Sequence, residues 1–153
     1  MKFRAGVLAL ATSAALPALL AAQTNPPKAP GSPTAKASPP TIVIERITVD
    51  ELKKLVDTDQ VLVLDVRAAD AYREAHIPGS LPAPLADLGK YVEMLKAAKK
   101  PIVTYCACTD EATAARASLK LHTAGIPGVR ALLGGLKKWQ ADGNPVAHGD
   151  SPR

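Results

Sequence analysis

Two short apolar runs, Val61-Leu62-Val63-Leu64 and Ile102-Val103-Thr104-Tyr105, set the strongest constraint on how this chain folds. Both are too short for a buried helix, and the β-branched valines and isoleucine favour extended backbone, so each predicts a central parallel strand. Around them the spacing becomes helical. Leu52, Leu55 and Val56 mark a helix over 49–56, and residues 68–75 suit a short helix before the turn Ile77-Pro78-Gly79-Ser80. Leu88, Val92 and Leu95 mark another, closed by Lys99-Lys100-Pro101. Residues 112–123 form a further helix, and 136–141 a last one ending at Gly143. Residues 41–47 alternate as an edge strand, and 130–133 complete the strand set. Strand alternating with helix implies an α/β fold built on a mostly parallel sheet flanked by helices. The 153 residues hold no internal repeat and fit one compact domain plus an unfolded extension.

That domain is expected to occupy residues 41–150, because the preceding residues have a different character. Lys2 and Arg4 are followed by an apolar run from Ala5 to about Leu20 and by Ala21-Ala22, the pattern of a signal peptide over 1–22. Residues 23–40 hold six of the 14 prolines among Ala, Ser, Lys and Thr, and such a composition predicts a disordered linker. The expected location is therefore periplasmic or secreted. An uncleaved membrane anchor is the alternative, disfavoured because Ala, Thr and Ser dilute the run and Pro17 interrupts it.

The formal charge of +5 and pI near 9.3 could suggest a nucleic-acid partner. The distribution argues otherwise: Lys2, Arg4, Lys28 and Lys36 precede residue 41, all 14 acids follow it, and the remainder carries only +1. With one Trp, one Phe and three Tyr there is little on which bases could stack, so nucleic-acid binding is set aside. Three histidines without clustered spacing, and two cysteines separated by one residue, give no expectation of a metal site or of any other cofactor.

In open α/β sheets functional groups collect beyond the carboxyl ends of the strands. Two such ends are chemically loaded: Asp65-Val66-Arg67, and Cys106-Ala107-Cys108-Thr109-Asp110-Glu111. A cysteine ending a strand before a helix-opening loop can sit in a cup of backbone N–H groups, a setting that favours the thiolate. Arg67 could orient a substrate, but a buried ion pair with Asp65, Glu74 or another acid is the favoured reading of an arginine at a strand end. His76 beside its Pro-Gly turn reads as structural, Trp139 as core, and Gly134-Gly135 as a tight passage of the chain.

Leu64-Asp65-Val66-Arg67, Tyr72, Ala75-His76-Ile77-Pro78-Gly79-Ser80, Ile102-Val103-Thr104-Tyr105-Cys106, Leu132-Leu133-Gly134-Gly135, Trp139 and Gly143-Asn144-Pro145-Val146 resemble, in order and spacing, the motifs of the rhodanese homology domain. The resemblance covers about residues 42–147 and extends to exported bacterial types that keep a Cys-x-Cys loop. It implies a five-stranded parallel sheet and an active loop running from a catalytic Cys106 to Glu111. It further implies a sulfurtransferase in which Cys106 takes a sulfane sulfur from a small sulfur-containing anion or persulfide donor and passes it to a thiol or cyanide. The backbone amides of Ala107, Cys108, Thr109, Asp110, Glu111 and Ala112 would bind the persulfide, with Arg67 nearby.

The chemistry suits these residue types, since a persulfide anion needs several N–H donors and no general acid beside it. Phosphatase-like cysteine loops require a closing arginine to clamp a dianion. Here Glu111 and Ala112 occupy that place, and Arg116 lies a helical turn further on. The loop is unusually acidic. Asp110 and Glu111 can satisfy a helix N-terminus, but they are expected to repel a dianionic donor such as thiosulfate. Cys108 could resolve a Cys106 persulfide or simply pack against the helix, and a disulfide between the two would be strained and labile. The chain is expected to act as a monomer. The competing readings are a catalytically silent rhodanese-like module that docks a protein partner through the loop face, and a thiol-disulfide redox protein using Cys106 and Cys108.

Overall fold

The computed structural model describes residues 42–151, so the proposed signal peptide and the linker lie outside the described residues. Five strands, β1 (Arg46–Ile47), β2 (Leu62–Asp65), β3 (Leu81–Pro82), β4 (Ile102–Tyr105) and β5 (Arg130–Leu132), form one sheet in the order β1-β5-β4-β2-β3. Every pairing is parallel. The α/β architecture expected from the sequence is therefore present, with β4 central and β2 beside it in register from Leu62 opposite Ile102 to Asp65 opposite Tyr105.

Helices α1 (Val49–Asp57) and α5 (Gly135–Ala141) lie on one face, where Leu52, Leu136 and Trp139 pack with Ile47, Val63, Val103, Tyr105 and Leu132. Helices α3 (Val92–Ala97) and α4 (Ala112–Thr123) cover the other, where Leu95, Ala114, Ala117 and Leu121 meet Leu64, Ile102, Cys106 and Ala131. The period-two alternation of a strand explains the division, sending Val103 and Tyr105 to one face and Ile102 to the other. Small residues on α4 let its axis approach the sheet closely enough for Thr104 to donate to the Ala114 carbonyl at 2.9 Å and to bond Ser118 at 2.9 Å.

α2 (Ala69–Glu74) is the short helix expected after β2, and α1 opens with a reciprocal cap between Thr48 and Glu51. The expected helix around Leu88 begins as a 3-10 turn over Leu88–Tyr91 before α3. β1 is much shorter than the edge strand expected over 41–47. β3 is absent from the sequence reading; it is a two-residue edge strand containing Pro82, tolerated where no further strand needs its missing N–H.

β2 leads outward to β3 on one side, whereas β4 leads to β5 on the other. The carboxyl ends of β2 and β4 thus flank a topological switch point, and both loaded segments open there.

Candidate active site

Cys106 follows the last residue of β4 and is only 1% exposed. Its sulfur accepts the Cys108 N–H at 3.4 Å, and its thiol is directed at the Cys108 carbonyl at 3.9 Å. The backbone of Ala114, in the first turn of the 12-residue α4, also favours the thiolate. The start of α4, with the positive end of its dipole, thus lies beside the sulfur. Of the amides expected over 107–112, that of Cys108 is placed on the sulfur; Ala114, which also favours the thiolate, lies beyond that span.

Burial opposes the cup. Taking the thiolate out of water pushes the Cys106 thiol above the ordinary range, and the neighbouring Cys108 thiol adds to that, while the Cys108 and Ala114 backbones pull it down; burial wins. The sequence reading anticipated only the stabilising half. Desolvation comes from packing against Val66, Ala114, Ala131 and their neighbours, which no local motif encodes.

The rest of the loop faces outward. Ala107 is half-buried and Cys108, Thr109, Asp110 and Ala112 are exposed. Asp110 accepts from the Ala112 N–H at 3.3 Å, so the expected acidic cap at the helix start is Asp110. Glu111 behaves differently. It adopts a left-handed backbone (φ 51°), is 8% exposed, accepts the Gly134 N–H at 2.7 Å and lies 3.6 Å from the Arg46 guanidinium. Its carboxylate is a strut between the loop and the β5–α5 turn with its charge matched by Arg46, rather than the repulsive charge expected. Only Asp110 keeps that character.

Beneath the loop, the Gly134-Gly135 passage is as tight as its sequence implies. Leu136 donates to the Cys106 carbonyl at 2.9 Å, and a Cβ on Gly135 (φ 55°) would stand 2.2 Å from that oxygen and 3.1 Å from the Cys108 carbonyl. Here glycine is required twice over, by the positive φ and by the contact.

Arg67 is fully engaged in the scaffold. It grips the wholly buried Asp65 through Nε and Nη2, the latter at 2.5 Å, donates to the Ala75 carbonyl at 2.6 Å, and has its guanidinium 5.8 Å from the centre of the Tyr105 ring. This is the ion pair weighed against a substrate role, and it leaves Arg67 facing its own strand ends. Tyr105, whose hydroxyl burial holds well above the usual range, bonds Ser80 at 3.1 Å and accepts the Ile77 N–H at 3.1 Å, tying the turn after α2 to the central strand. His76 stacks on Tyr72 with ring centroids 3.8 Å apart, and its nitrogens meet the carbonyls of Tyr72 and Ser151, each at 2.9 Å. Trp139 is buried and donates to the Pro145 carbonyl. Among the described residues, no three His, Cys, Asp or Glu side chains gather where they could hold a metal ion.

The fold of the parallel sheet and its flanking helices recurs in known proteins. The profile of the rhodanese-like domain matches residues 48–142. The chain belongs to the rhodanese-like family. Its relatives include the thiosulfate sulfurtransferase GlpE of Coxiella burnetii, 32% identical over 101 residues that cover 65% of this chain and 91% of that one. An HTH-type transcriptional regulator of Mycobacterium tuberculosis is 31% identical over 112 residues, and there the match covers 69% of this chain but only 49% of the regulator. Among solved structures, a Bacillus halodurans protein superposes with a TM-score of 0.63 at 26% identity, covering 69% of this chain and 78% of its own. The rhodanese-like domain thus stands nearly alone in one relative and beside other sequence in another.

The sequence reading of this rhodanese-like site missed Arg46, the Ala114 backbone and the Thr104–Ser118 bond beneath the loop. The only available signal was positional: Arg46 precedes a strand end, and Ala114 lies in the first turn of a predicted helix.

Proposed function

We propose that this rhodanese-like domain is a sulfurtransferase in which Cys106 carries the transferred sulfur. One observation carries the reading: the Cys106 sulfur is a strand-end nucleophile held by the Cys108 N–H beside the start of α4. Deprotonated Cys106 attacks the sulfane sulfur of a donor; the donor's S–S bond breaks and its electron pair departs with the leaving group, as sulfite when the donor is thiosulfate. The product is a Cys106 persulfide whose negative charge lies one atom further out. Cyanide or a thiolate then takes the outer sulfur and returns Cys106 as a thiolate. No general acid is needed in either half, and none is placed beside the sulfur: Glu111 is occupied by Gly134 and Arg46.

A phosphatase reading finds no support, because Arg116 is exposed a turn into α4 rather than closing the loop. The match to a thiosulfate sulfurtransferase over nearly the whole of that relative favours thiosulfate or a related small anion as donor. With Glu111 neutralised by Arg46, the electrostatic objection to such a dianion reduces to the exposed Asp110. Turnover from thiosulfate or polysulfide to cyanide should disappear in Cys106→Ser with the fold retained by circular dichroism. Equal turnover in that variant would end the proposal.

A further inference from the structure

We propose that Cys108 is a second sulfur carrier, taking the sulfane sulfur from Cys106 within the loop and presenting it at the surface to a bulky protein thiol. The proposal rests on the Cys106 persulfide described above. Cys106 is buried, whereas Cys108, two residues along the same loop, is exposed. The two are also neighbours in space: the Cys108 N–H and carbonyl both address the Cys106 sulfur, at 3.4 and 3.9 Å. Loading by a small anion is the step that the sulfurtransferase reading assigns to this buried thiol. A cysteine mounted on another protein must find the sulfur at the surface, and Cys108 is the residue that brings it there.

The transfer balances without any outside oxidant or reductant. The Cys108 thiol loses its proton to solvent, and its thiolate attacks the outer sulfur of the Cys106 persulfide. A bond forms between that sulfur and Cys108 Sγ as the bond to Cys106 Sγ breaks, and the electron pair stays on Cys106. The leaving thiolate is the one that the Cys108 N–H is placed to receive. Attack on the inner sulfur would instead expel hydrosulfide, which that amide does not address, and would close a strained Cys-x-Cys disulfide. The sulfur on Cys108 is then surrendered to an acceptor thiolate, and both cysteines return to their starting state. Ala107 between them is half-buried and small, leaving the surface around Cys108 unobstructed by a side chain at that position.

The test loads the full chain with thiosulfate or polysulfide, caps outer sulfurs with an alkylating agent, and locates the label by fragmentation of the peptide containing both cysteines. Wild type should carry capped persulfide on Cys106 and on Cys108; Cys108→Ser should carry it on Cys106 alone; Cys106→Ser should carry none. Delivery to a reduced protein bearing a single accessible cysteine should fall at least tenfold in Cys108→Ser. A wild-type protein labelled only on Cys106 at every time point overturns the relay while leaving the sulfurtransferase reading intact. A species lighter than the reduced protein by two hydrogens, with hydrosulfide released, overturns it in favour of disulfide closure. Labelling of Cys106→Ser at Cys108 overturns the Cys106 reading and the relay together.

Discussion

Replacing Glu111 separates the role of strut from that of a repulsive charge. In Glu111→Ala the Gly134 N–H loses an ionised acceptor at 2.7 Å, and a charge-assisted bond of this kind contributes about 1.5–3 kcal/mol. The contact with Arg46, whose side chain is 48% exposed, adds about 0–1 kcal/mol. The left-handed backbone at residue 111 costs alanine about what it costs glutamate, so that contribution cancels. The expected loss is about 2–3 kcal/mol, or roughly 10 °C in Tm for a domain of this size. Glu111→Gln keeps an oxygen acceptor for Gly134 but gives up the ion pair and the charge on that bond, so it should lose about 1–2 kcal/mol, less than Glu111→Ala. Urea unfolding followed by circular dichroism reads both variants, with m unchanged. On the sulfur-transfer side, Glu111→Arg should lower thiosulfate turnover, because it removes the strut and sets a second cation against Arg46. Equal midpoints for wild type, Ala and Gln, together with a gain in thiosulfate turnover for Arg, would refute the strut and restore the repulsive reading.

Two further outcomes follow from the same geometry and a third from the sequence. Because burial holds the Cys106 thiol above its ordinary range, the attacking thiolate is scarce at neutral pH; the single-turnover loading rate should keep climbing past about pH 8.5, and a plateau reached by pH 7 would contradict that burial. Gly135→Ala forces a Cβ to 2.2 Å from the Cys106 carbonyl and should cost more than about 3 kcal/mol, whereas Gly143→Ala meets only its positive φ in open space and should cost about 1 kcal/mol by thermal melting. Protein recovered from a bacterial envelope fraction should begin near Gln23 by N-terminal sequencing, and an intact Met1 in washed membranes would favour an anchor.

The central strands and α4 were legible because their signals are local. Val61–Leu64 and Ile102–Tyr105 are short, β-branched and largely apolar, as buried strands are, and the residues read as a helix over 112–123 are those of α4. β3 was hidden because its pairing with Leu64 and Asp65 comes from a neighbouring strand, not from any pattern in Leu81-Pro82. Cys106 announced itself by position, a cysteine between an apolar run and a helix start. Its surroundings did not. Arg46, Glu111 and Gly134 come from three separated segments and meet only when β1 and β5 pair, so a sequence scan sees two loop acids and no partner cation. Arg67 with Asp65 was legible for the opposite reason: two residues along a strand end already place the charges together.

The measurement that bears most directly on the sulfur-carrier assignment is intact mass after incubation with excess thiosulfate or polysulfide and removal of the donor. Wild type should gain about 32 Da, one sulfur atom on the nucleophile, and lose it on adding cyanide, while Cys106→Ser, folded by circular dichroism, should gain nothing. A wild-type mass that stays unchanged with every donor, or an equal gain in Cys106→Ser, would contradict the assignment of Cys106 as the sulfur carrier.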